Sequence, residues 1–327
     1  MRQIKMPFLV AMFLGMPLAL GAPDAAAQAY PSKPVRVVVP FPAGGVVDIL
    51  TRAVTDRIAQ NWGTTIIVEP RPGAGASIGA DAVATSAPDG YTYLVATITG
   101  VVGPLLNPQF KHDFRKDFAA VGMFATAPNV FVVPGNLPVA DLKGFVELAR
   151  KSPGKLNYAH PGAGSTNHLP VEFIKMTRRI FVVPIPYRGQ PQAITDVIAG
   201  QIHLFSGAPA LLVSHVKAGK LKAIAVTSDK RLDDLPAVPT LAESGFGDVV
   251  GASGYFGILA PAGTPAAVVR RFNEELNTAV KAPEVIDRLR KAYAFPAGGS
   301  PEEFTRFLAD EGARWTKLIK EANIKAD

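Results

Sequence analysis

Three stretches of this chain carry residue types suited to holding an anion. Residues 35–50 (VRVVVPFPAGGVVDIL), 64–80 (TTIIVEPRPGAGASIGA) and 155–170 (KLNYAHPGAGSTNHLP) each pass from an apolar run through a glycine-rich turn into helical spacing. A strand that feeds a helix in this way leaves the first helical N–H groups unpaired, with the positive end of the helix dipole behind them. Such a turn binds anions without any charged side chain. In the first stretch, the N–H groups of Gly44, Gly45 and Val46 are the candidate carboxylate donors, framed by Phe41, Pro42 and Ala43. The competing reading is a tight turn in which glycine only supplies unusual dihedrals. Asp48 either complements the helix dipole and pairs with Arg52 one turn on, or accepts a ligand amino or hydroxyl group.

In the third stretch, Gly164, Ser165 and Thr166 are the counterpart. The two hydroxyls either cap the helix or donate to a carboxylate. His168 orients or packs this turn; no metal partner lies at ligand spacing. Tyr187, Arg188 and Gly189 offer an aromatic wall and a guanidinium able to form a bidentate pair with a carboxylate, or else a solvated surface loop. In the second stretch, Gly75-Ala76-Ser77-Ile78-Gly79 matches the hydrolase pattern G-x-S-x-G. That motif needs its serine on a sharp turn directly after a strand, and Pro70 and Pro72 separate Ser77 from the strand. Ser77 therefore enters as a ligand-binding candidate, with a serine hydrolase as the remote alternative. Gly73, Gly75 and Gly79 miss the dinucleotide fingerprint by one residue, and no acidic residue follows at the expected offset.

Alternating elements must position these turns. The spacing predicts strands at 35–39, 65–68 and 91–96 with helices at 46–60 and 78–85. A second set follows: strands at 130–133, 156–158, 181–183, 203–205 and 222–226, with helices at 141–151, 166–176, 193–199 and 211–218. The tail adds a strand at 255–259 and helices at about 265–280, 283–291 and 301–322. Strand–helix alternation implies mostly parallel sheets with right-handed crossovers. Two such units imply a bilobed α/β protein whose glycine turns, at the carboxyl ends of strands, line both walls of a cleft.

The N-terminus reads as a secretory signal peptide over 1–29: Arg2 and Lys5, an apolar stretch, then Ala27-Gln28-Ala29, with Ala25-Ala26-Ala27 as a second register. No later segment is apolar and long enough to span a bilayer. The chain has no cysteine, so stability must come from its core, and 48% hydrophobic against 19% charged residues suits a packed globular protein. Removing residues 1–29 takes the formal charge from +7 to +6. The basic residues are dispersed, which disfavours nucleic acid. No nucleotide, cofactor or metal site is expected.

Taken in order, PSKPVRVVVPFPAGGVVDILTR, EPRPGAGASIGA, APDGYTYL, PGKLNYAHPGAGSTNHL, PIPYRGQPQAITDVIAGQIHLF, HVKAGKLKAIAVTSDKR, VPTLAESGF and FGILAPAGTP resemble the extracytoplasmic solute receptors of tripartite tricarboxylate transporters, the Bug family. The resemblance covers essentially the whole mature chain. It implies a periplasmic-binding-protein fold of type II-like form, two doubly wound α/β domains around a cleft. The expected division is 30–128 with 251–327 as domain 1 and 129–250 as domain 2. It further implies export to the periplasm and a monomer that holds a small carboxylic acid and delivers it to membrane permease subunits. A sensor for a signalling partner is the alternative role.

Several positions depart from the family pattern. The second loop reads Gly73-Ala74-Gly75-Ala76-Ser77 in place of GAGG. A strand expected to end in an acidic pair ends in Phe205-Ser206. Residues 176–180 lack the usual Ala-Gly. The loop holding Thr97 and Thr99 is apolar and lacks a histidine. By the resemblance Thr97, Thr99 and Ser206 lie at the cleft, and these changes favour an uncharged or aromatic body on the acid.

Overall fold

A computed structural model describes residues 30–107, 110–187, 189–249 and 252–325. The signal-peptide expectation therefore lies outside the described residues, as does Arg188. Among the described residues, no helix is long and apolar enough to cross a membrane.

The first sheet is built on β1 (Val35–Val39), β2 (Ile66–Pro70) and β3 (Thr92–Ala96), all parallel, with β1 in the middle. The valines of β1 suit a strand covered on both faces, whereas the edge strand β2 leaves Ile67 exposed. Helix α1 (Val46–Trp62) follows β1, ends at Gly63 in the left-handed region (φ 63°) and covers one face. Helices α2 (Ser77–Ala84) and α3 (Thr99–Leu106) cover the other. The second sheet repeats the plan. Strand β4 (Phe118–Ala127) leads out of the first sheet and β5 (Val130–Pro134) enters the second. Helix α4 (Leu142–Lys151), β6 (Asn157–His160), α5 (Leu169–Arg178), β7 (Val183–Pro186), α6 (Gln190–Ile198), β8 (Leu204–Gly207), α7 (Pro209–Lys217) and β9 (Leu221–Val226) complete it. The chain then returns as β10 (Gly254–Pro261), α8 (Ala266–Ala279), α9 (Pro283–Lys291), β11 (Phe295–Pro296) and α10 (Pro301–Glu321). The sheet orders are β11-β4-β10-β3-β1-β2 and β7-β6-β8-β5-β9.

Each sheet is more mixed than the alternation predicts. β4 and β10 pair antiparallel over eight registered positions, and β5 pairs antiparallel with β9. The cause is the double crossing. One strand pair carries the chain from the first sheet to the second and the other brings it back, so neighbours run in opposite directions.

Helix α3 is absent from the sequence expectation, which reads residues 97–101 as an apolar loop. The structure shows why glycine stands there. A Cβ on Gly100 would lie 2.0 Å from the Phe114 ring, and one on Gly103 would lie 2.6 Å from the Phe110 ring. Both rings are buried and pack 6.3 Å apart. Ring burial against the helix backbone outweighs the helix-propensity cost of about 1 kcal/mol per glycine. Gly100→Ala is accordingly expected to destabilise the fold by at least about 2 kcal/mol despite alanine's better propensity. A drop in the denaturant midpoint measures it; an unchanged or raised midpoint would show that the ring moves freely.

Candidate functional site

The parallel strands point their carboxyl ends at one edge of each sheet. On the first sheet that edge carries the loops after β1, β2 and β3. On the second it carries the loops after β6, β7 and β8. The two edges meet. Gly164, in the loop after β6, is buried so closely against α3 that a Cβ there would lie 2.7 Å from Leu106 and 2.8 Å from Val102. Its φ of +78° suits glycine.

The loop after β1 is only partly as expected. Pro42, Ala43 and Gly44 are exposed, and Phe41 is half-buried against both cores of the first lobe. The Gly44 amide is not bare: it donates to Asp48 Oδ2 at 3.0 Å, and the Gly45 amide turns back to Pro42 O at 3.4 Å. The carboxylate one turn into α1 reaches back and takes the donor nearest to it. The amides of Val46, Val47 and Asp48 make no hydrogen bond to a described residue, because the N-cap Gly45 has no side chain to offer. Donor capacity therefore sits at 46–48, shifted two residues into the helix from the expected position.

Asp48 is 4% exposed and accepts from Arg52 Nε at 3.1 Å on both oxygens. Burial alone would raise its carboxyl. The Arg52 hydrogen bonds, the Gly44 amide and the Arg52 charge overcome that and hold it below the usual carboxylate range. A depressed folded pKa means this contribution is present above about pH 4 and disappears as pH falls through the folded value. Asp48→Asn is expected to cost about 1 kcal/mol near neutral pH and nothing in strong acid. The two melting curves should converge as the pH is lowered below 4; a constant gap would assign the loss to something other than this charge.

On the opposite edge, helix α5 begins at Leu169, three residues later than the spacing predicts. Neither Ser165 nor Thr166 caps it. His168 is the N-cap residue without a capping bond; its Nδ1 instead accepts from the Gly164 amide at 3.3 Å. That places the proton on Nε2, which faces Glu172 Oε1 at 4.0 Å. Glu172, itself buried, also accepts from the Tyr158 hydroxyl and from Lys175 Nζ. His168 thus turns its ring back onto its own loop and toward Glu172.

Ser165 Oγ and Ser206 Oγ are sealed from solvent, and neither forms a hydrogen bond to any described residue. Ser206 is 0% exposed at the carboxyl end of β8. Thr97 and Thr99 hydroxyls lie 3.3 Å apart at the head of α3, so the segment read as an apolar loop is the first turn of a helix. Ser77 opens α2 half-buried, and its hydroxyl contacts no histidine among the described residues. Tyr187 is half-buried but commits its hydroxyl to Asp196 Oδ2 at 2.6 Å, and burial with this acidic neighbour pushes its pKa up to about 12. Gly189 is the extended N-cap of α6.

The sequence reading missed the polar knot behind this edge. Asn167 Nδ2 donates to Ser206 O at 2.6 Å and to Asn129 Oδ1 at 3.4 Å. Asn129, buried between β4 and β5, donates in turn to Thr166 O and Ala252 O. One side chain therefore ties the loop after β6 to both crossing segments. The only signal available was an asparagine after Pro128 between two apolar runs. Among the described residues, no cluster of histidine and carboxylate groups could hold a metal ion.

The family model described as "Tripartite tricarboxylate transporter family receptor" matches residues 50–324. The chain belongs to that family. Among relatives of this receptor, Protein BugT of Bordetella pertussis is 32% identical over 307 residues, covering 93% of this chain and 94% of BugT. A solved structure described as a periplasmic transporter is 39% identical with a TM-score of 0.76, covering 91% of this chain and all of its own. Rpa4515 of R. palustris, solved with adipate, is 32% identical with a TM-score of 0.75, covering 90% of this chain and 99% of its own. These structures share the receptor's two-lobed α/β architecture.

Proposed function

We propose that this receptor is a periplasmic solute-binding protein that closes its two lobes on a small carboxylic acid and passes it to membrane permease subunits. Residues 30–128 with 251–327 form one moving unit and 129–250 the other, and residues 1–29 direct export. The reading is supported by donors on both sheet edges. The first-turn amides of α1 on one edge, and the sealed hydroxyls of Ser165 and Ser206 on the other, make no hydrogen bond to a described residue. A buried hydroxyl without a partner costs roughly 1–3 kcal/mol, and an oxyanion placed against it removes that cost. Adipate in the Rpa4515 structure supports a carboxylate as the ligand.

Closure removes water from between these donors and strengthens each contact. A ligand drives closure only by preferring the closed form, so it must touch both edges. A thermal-shift screen against a carboxylate library tests this. An acid at a hundredfold excess over its Kd should add about 2.7 kcal/mol of stability. Stabilisation by neutral sugars or metal ions alone would overturn the reading.

A further inference from the structure

Between helix α3 and the loop after β6 lies a side chamber of about 210 Å³. Thr99, Val102, Leu106, Asn107 and Phe110 form its wall on the first lobe, mostly apolar with one amide, and Ala163 with Gly164 closes it from the second. Among the described residues, no charged side chain lines it. Val102 is 2% exposed, and Phe110 is held by its contact with Phe114. Both ends of the chamber adjoin polar groups already described: Thr99 shares its hydroxyl contact with Thr97, and Gly164 immediately precedes Ser165. An apolar cavity of about 150 Å³ accepts a benzene ring, so this one has room for a six-membered ring or a tail of five or six carbons.

The polar side of the cleft fits the same class of molecule. Asp48, the acidic residue at the head of α1, is occupied by Arg52 and by the Gly44 amide. β8 (Leu204–Gly207) carries Ser206 near its carboxyl end and no carboxylate. Nothing among the described residues of the chamber or of these two turns offers a free anion to an ammonium group.

Resting on the carboxylate reading above, we infer that the ligand is a monocarboxylic acid with an apolar body, aromatic or medium-chain aliphatic. Its carboxylate lies among the amides and hydroxyls, and its body fills the chamber beneath α3. Because the chamber walls come from both lobes, the apolar body itself favours the closed form.

Calorimetric titration of the whole mature protein with acetate, butanoate, hexanoate and benzoate tests this, with adipate and leucine as competitors. Affinity should rise about fourfold per methylene up to the capacity of the chamber, and benzoate should bind well above acetate. Ala163→Leu, which fills the chamber from the second lobe, should reduce the ratio of hexanoate to acetate affinity at least about tenfold. Leu106→Ala should move the optimum to longer chains. A flat series, tighter binding of adipate or leucine than of hexanoate, or an unchanged ratio in Ala163→Leu would overturn the inference while leaving the carboxylate site standing. If no acid of any kind bound, the reading in the preceding subsection would fail first.

Discussion

Gly164→Val should hold the lobes apart. The residue sits where the loop after β6 touches α3, with room for no Cβ: Leu106 and Val102 of the other lobe lie 2.7 and 2.8 Å from the position it would take. A branched side chain there collides with Leu106 and Val102 while the two edges stay in contact. The collision is worth about 2–3 kcal/mol, which lowers ligand affinity roughly 30- to 150-fold. The positive φ adds strain of about 1–2 kcal/mol in open and closed forms alike, so that part lowers the melting point without affecting affinity. Gly162→Ala separates the two effects. Gly162 also has a positive φ (143°), yet its Cβ would meet nothing within 4 Å. It should lose stability and keep most of its affinity. Small-angle scattering should show ligand-dependent compaction in Gly162→Ala and none in Gly164→Val. Equal affinity losses in the two variants would mean that backbone strain, and not contact between the lobes, explains the glycine.

Ser165→Ala and Ser206→Ala should move affinity and stability in opposite directions. A hydrogen bond to a charged acceptor contributes about 1.5–3 kcal/mol, so each substitution should weaken acid binding roughly 10- to 150-fold. Their losses should add unless both hydroxyls serve one oxygen. Each hydroxyl is sealed off without a partner among the described residues. Exchanging it for a methyl-sized side chain removes an unsatisfied polar group, so the ligand-free melting point should hold or rise. A structural serine would behave in the reverse way, with lower stability and unaltered binding. Calorimetry on the free and saturated variants distinguishes the two.

The parts of the fold that could be read from the chain are those governed by local pattern. Val35–Val39 is apolar except for Arg36 and forms the middle of the three parallel strands of the first sheet. The glycine turns after β1, β2 and β6 sit at sheet edges because a parallel strand must hand over to its helix there. What escaped depends on side chains folding back or on partners far along the chain. Asp48 captures the Gly44 amide, so the donors lie at 46–48 and not at 44–46. His168 takes up the Gly164 amide in a similar fashion, and α5 starts late. Helix α3 looked like a loop because its glycines answer to Phe110 and Phe114, which lie outside it in sequence. With α3 unseen, the chamber it roofs could not be anticipated. The antiparallel pairing of β4 with β10 joins residues more than a hundred positions apart, beyond any periodicity.

The most direct test is a crystal structure of the protein with an acid that raises its melting point. One carboxylate oxygen should lie within about 3.2 Å of Ser165 Oγ or Ser206 Oγ, and the same group should also meet the first-turn amides of α1. An acid bound away from both edges, with these hydroxyls still without a partner, would contradict the assignment of the cleft.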